Sequence, residues 1–165
     1  MKKLVVLAFD TKHGASDVRD ELFELQKREL ITLEDAAVVV RKQSGRVKVK
    51  QARSLVGTGA LGGAFWGLLI GLIFFAPIFG MAVGAVGGAL GGKFTDIGIS
   101  DEFIKEVGET ISPGESALFL LVADAQTDRV LEELSGHSFE LLETNLSPED
   151  EDKLREHFAA EDLLA

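Results

Sequence analysis

A chain of 165 residues, 46% of them apolar, has enough material for one buried core and is too apolar for a disordered segment. A formal net charge of −10 argues against nucleic acid as a general partner. With no cysteine, disulfides, thiolate nucleophiles, iron–sulfur clusters and cysteine–zinc sites are excluded, and three histidines leave little for metal or general-base chemistry. No cofactor is expected.

Met1-Lys2-Lys3 precedes only six apolar residues, Leu4 to Phe9, which end at Asp10. That run is too short for a signal peptide and reads as a buried strand. Val18, Leu22, Leu25 and Glu29 follow at helical spacing, with Ser16 as the expected cap and Asp17 and Asp20 in the first turn. Ala36–Val40 reads as a second strand. Ser44-Gly45 reads as a turn, and Val47 and Val49 alternate with basic residues like a half-exposed hairpin partner. Arg41, Lys42, Arg46, Lys48, Lys50 and Arg53 place six basic residues in thirteen positions with no acid among them. Such a block beside an apolar run suits anionic lipid headgroups and favours the cytoplasmic side.

The 39 residues from 54 to 92 carry no charge, about twice what one membrane-crossing helix needs. Twelve glycines fall between Gly57 and Gly92. Gly59, Gly63, Gly67 and Gly71 recur every four residues, as do Gly80, Gly84, Gly88 and Gly92. Residues four apart share a helix face, so each arm would carry a smooth stripe on which another helix backbone packs closely in lipid. Ala76-Pro77 would break a continuous helix. The expectation is a glycine-striped membrane hairpin with arms near 55–75 and 77–93, either spanning or re-entrant. A soluble oligomer core is the other reading. A flexible linker would be polar, and no phosphate-loop pattern exists, since Gly91-Gly92-Lys93-Phe94 lacks the hydroxyl residue.

Beyond the apolar block, Ser100 is placed to cap a helix with Phe103, Ile104, Val107 and Ile111 on one face, stopped by Ser112-Pro113-Gly114. Ser116–Val122 reads as a buried strand ending near Asp124. A helix carrying Val130, Leu131 and Leu134 follows, then a strand at Phe139–Leu142 and a C-terminal helix opened by Ser147-Pro148. The pattern strand–helix–strand thus occurs twice, each first strand closing on an acid. This predicts a ferredoxin-like α+β domain split into 1–53 and 94–146, a hairpin at 54–93 and a C-terminal helix at 147–165. The split domain is expected to fold without the insertion.

The chain also resembles a bacterial and archaeal predicted membrane protein family, domain of unknown function 1269. The resemblance runs through Leu4-Val5-Val6, the Gly57–Gly92 block, Asp101-Glu102-Phe103, Pro113-Gly114-Glu115-Ser116-Ala117-Leu118, Arg129-Val130-Leu131 and Thr144-Asn145-Leu146-Ser147. It implies a membrane location and brings no catalytic residues.

Catalytic candidates are sparse. His13, His137 and His157 are scattered, and Asp10 and Asp124 read as a carboxylate pair or, more simply, as turn and cap residues. The Glu149–Asp152 run reads as a solvated helix start rather than a cation loop, and Ser116 lacks a nucleophile setting. Two functions are expected in competition. One is a non-enzymatic, self-assembling inner-membrane scaffold with both termini cytoplasmic, partnered by itself and by lipid. The other is a membrane-tethered sensor whose ferredoxin-like dimer binds a small ligand or protein partner.

Overall fold

The computed structural model describes residues 2–52, 63–74 and 99–146. Within them the order is β1 (Lys2–Phe9), α1 (Gly14–Lys27), β2 (Ile31–Arg41), β3 (Val47–Ala52), α2 (Gly63–Phe74), α3 (Asp101–Thr110), β4 (Ser116–Ala125), α4 (Thr127–Glu133) and β5 (Glu140–Leu146). The second apolar arm, the Pro77 break and the C-terminal helix expected at 147–165 lie outside the described residues.

The strands form one sheet in the order β3-β2-β4-β1-β5, and every neighbouring pair is antiparallel. The connection from β1 through α1 to β2 skips over β4, and that from β4 through α4 to β5 skips over β1. The two strand–helix–strand units therefore interleave, giving a mixed α+β architecture. β3 joins as an outer hairpin strand, closed by Lys42 N donating to Arg46 O at 2.7 Å, with Gly45 at φ +89° in the turn.

Side chains alternate across a strand, so each strand feeds both faces. Leu4, Val6, Val39, Phe119 and Leu121 pack on one face with α2 and α3. Val5, Leu7, Val38, Leu118 and Leu120 pack on the other with α1 and α4. Cover on both faces explains why the strands are continuous apolar runs rather than alternating ones.

α2 is the described part of the expected first arm. Its Trp66, Leu69, Ile70, Ile73 and Phe74 are buried in the same cluster as Phe103, Val107 and Phe119. The described part of the expected hairpin thus shares a core with the described α+β elements. The twelve described residues of α2 extend about 18 Å. No helix among the described residues is long and apolar enough to cross a membrane.

Several local expectations shift. Ser16 does not cap α1; the helix starts at Gly14, where Thr11 Oγ1 accepts from Gly14 N at 3.0 Å and Ser116 Oγ accepts from Ala15 N at 3.2 Å. Glu29 is not on α1 but at φ +62°, and Leu30 N donating to Leu25 O with Glu29 N donating to Gln26 O makes a Schellman stop. Leu131 is 41% exposed, while Val130 and Leu134 are buried. Ser100 does cap α3, accepting from Phe103 N at 3.2 Å, and Phe103, Ile104, Val107 and Ile111 face inward as expected.

Candidate functional site

The chemistry carried by the apolar segment concentrates where α2 meets the sheet. Asp35 sits in β2 beside register irregularities at Thr32/Leu33 and Leu33/Asp35, and is 0% exposed. Its Oδ1 accepts from Ala36 N and its Oδ2 from Trp66 Nε1, each at 2.9 Å. The Trp66 ring, 1% exposed, stands edge-on to Phe119 with centroids 6.2 Å apart. At the end of α2, the Arg41 guanidinium lies 5.5 Å from the centre of the Phe74 ring and donates from Nη1 to Ile111 O at 2.6 Å. α3 crosses α2 at Gly108, where an added Cβ would stand 2.8 Å from Ile73 O.

The expected glycine stripe is described only at Gly63, Gly67 and Gly71. At 100° per residue it lies about a quarter-turn round α2 from the buried stripe, beside the sheet-facing side rather than on it. Nothing described lies within 4 Å of where Gly71 would carry a Cβ. Gly59, Gly80, Gly84, Gly88 and Gly92 fall outside the described residues. Of the expected lipid-facing cations, Lys42, Arg46, Lys48 and Lys50 are exposed on the β2–β3 hairpin. Arg41 is engaged inside the protein instead, and Arg53 is outside the described residues.

On the opposite face an apolar cleft of about 90 Å³ opens between α1, α4 and β5, lined by Val5, Leu22, Leu120, Val130, Leu134 and Phe139 among others. Lys3 and Glu143 stand at it, paired at 3.5 Å and each nearly half exposed. Leu131 and Leu141, two of the three exposed large apolar residues among those described, also line it.

The catalytic candidates are dispersed. β1 and β4 run antiparallel, with Phe9 opposite Ser116 and Lys3 opposite Val122. Asp10, just after β1, and Asp124, near the far end of β4, are therefore at opposite ends of the sheet and cannot form a pair. Ser116 Oγ donates to Thr11 O at 2.6 Å while receiving Ala15 N, so it is committed to fixing the start of α1. His13 is exposed before α1, His137 Nε2 lies 3.1 Å from Glu21 Oε2, and His157 is outside the described residues.

Asp35, Trp66 and Gly108 do not stand out in the sequence reading. Two signals are present: the acids Glu34 and Asp35 against the apolar run Ala36–Val40, and a single tryptophan in an uncharged run.

Comparison with curated proteins and with solved structures finds no match. A family profile matches residues 60–159, from the apolar segment through the second strand–helix–strand unit, and leaves Leu4-Val5-Val6 outside. With more than half its length matched, the chain belongs to the family described as "Protein of unknown function (DUF1269)".

Proposed function

We propose that the protein is a non-enzymatic, self-assembling membrane protein with a ferredoxin-like α+β domain on the cytoplasmic side of the inner membrane. Leaving out the added edge strand β3, the order β5-β1-β4-β2 is the ferredoxin-like one, read here from topology. The observation that carries the functional reading is α2: an uncharged helix with glycines every four residues, held to the sheet by its Trp66 stripe with the glycine stripe turned a quarter-turn away. Acyl chains could replace the apolar contacts of Leu69, Ile70 and Ile73, but they offer no acceptor for Trp66 Nε1. While that bond holds, α2 stays in the domain's second layer, and lipid contact and assembly fall to its glycine side and to the rest of 54–93. The exposed Lys42, Arg46, Lys48 and Lys50 would then meet anionic headgroups.

The test combines membrane fractionation with particle size in mild detergent. The protein should stay in the membrane pellet through high salt and carbonate. Changing Gly63 and Gly67 to Leu should dissociate the oligomer without releasing it from the pellet, because leucine raises apolarity while blocking close backbone approach. Release by salt alone, or an unchanged particle in the glycine variant, would contradict the reading.

A second reading, a ligand-binding module, is favoured by one specific observation: an apolar cleft with a charged pair at its mouth, on the sheet face opposite α2.

A further inference from the structure

Close-packed domains hold few voids larger than a water molecule. Between α1, α4 and β5 that packing is interrupted by an apolar cleft of about 90 Å³ that opens to solvent, and exposed apolar Leu131 and Leu141 border it. Exposed leucines at the rim and an unfilled apolar interior belong to one continuous surface, which is how a site for a partly apolar ligand differs from a packing defect. An apolar cavity of about 150 Å³ holds benzene, which is roughly 25 Å³ per carbon, so this cleft takes three or four carbons.

The mouth supplies the polar half. Lys3 and Val5 lie on β1 and Glu143 on β5, all on the face covered by α1 and α4, with Glu143 directly opposite Val5. The Lys3 ammonium and the Glu143 carboxylate are 3.5 Å apart and accessible. A ligand bearing only a carboxylate would meet Glu143, and one bearing only an ammonium would meet Lys3. In either case a repulsion offsets the attraction. A zwitterion answers both charges at once, its carboxylate on Lys3 and its ammonium on Glu143. The bond it interrupts is an exposed ion pair, screened by solvent, so opening it costs little.

We propose that this cleft binds a free α-amino acid with an aliphatic side chain of three or four carbons, the side chain entering the cavity and the zwitterion bridging Lys3 and Glu143. The proposal rests on the ligand-binding reading and needs neither membrane insertion nor assembly.

Titration calorimetry on the full-length chain, in the lipid or buffer in which it purifies, tests it with leucine, glycine, 4-methylpentanoate and 3-methylbutylamine. Leucine should bind saturably. Glycine, which lacks the tail, and the two singly charged analogues should each bind at least about tenfold more weakly, the equivalent of one charge-assisted contact. Glu143→Gln should weaken leucine about tenfold while leaving 4-methylpentanoate no weaker, a selectivity that a purely structural role would not produce. Ala125→Leu, which fills the cleft, should abolish binding with the circular dichroism spectrum unchanged. If both analogues bind as well as leucine, the cleft remains a ligand site and the amino-acid assignment fails. If leucine binds equally to Ala125→Leu, the site is elsewhere and the proposal fails. If no probe binds, the amino-acid proposal fails.

Discussion

A carboxylate removed from water is tolerated only when its oxygens are hydrogen-bonded, and Asp35 accepts from both Ala36 N and Trp66 Nε1. Removing the indole donor in Trp66→Phe should therefore cost about 1–3 kcal/mol in denaturant unfolding followed by circular dichroism. Asp35→Asn should also destabilise, because an amide offers one acceptor oxygen to two donors. If the two residues act on each other, the double variant will cost less than the two single changes together, by about 0.5–3 kcal/mol. Strict additivity would mean that the bond contributes nothing to holding α2. This pair was hard to read in the sequence because its members are 31 positions apart and each looks ordinary in its own segment. Ser116 is a similar case. It fixes the start of α1 from 101 residues away, whereas the sequence offers Ser16 next to that helix.

The helices differ in how openly the sequence declares them. α1 and α3 carry apolar residues at helical spacing against charged ones, so both their existence and their buried faces are legible. α2 has no charge on any side, and periodicity cannot choose which side is buried. The glycines were the visible feature, yet the side that packs on the sheet carries Trp66, Ile70 and Phe74. Two glycines now separate the roles of these helices. Gly108→Ala places a Cβ 2.8 Å from Ile73 O, a backbone atom that cannot swing away, so α2 and α3 must part. The variant should lose about 1–3 kcal/mol of stability, although alanine favours helix by about 1 kcal/mol. Gly71→Ala meets nothing described within 4 Å, so the loss expected for Gly108→Ala is not expected there. Thermal unfolding of the two variants beside the parent gives the comparison, and equal shifts would contradict the close crossing.

At the scale of the molecule, the sheet order and the interleaved units follow from the internal repeat, which is legible because each half carries the same strand–acid–helix pattern. The layering was less legible. Unbroken apolar strands such as Leu4–Phe9 and Ala117–Val122 signal a sheet covered on both faces, but the segment that covers the second face has the composition of a membrane span. Replacing residues 54–92 with a linker would remove α2 and bare Leu4, Val6 and Phe119. Whether the remainder folds unaided is read by circular dichroism of that variant. α2, the described part of the uncharged segment, and the α+β sheet are one packed body through Trp66. Trp66 is the sole tryptophan, and the chain has no tyrosine, so its emission reads that contact directly. The decisive measurement is Trp66 fluorescence of the full-length protein in vesicles made with brominated phospholipids. Short-wavelength emission, shielded from acrylamide and little changed by the bromolipids, is expected, because the indole faces Asp35 and Phe119. Strong quenching by the bromolipids would place Trp66 among acyl chains and contradict that packing.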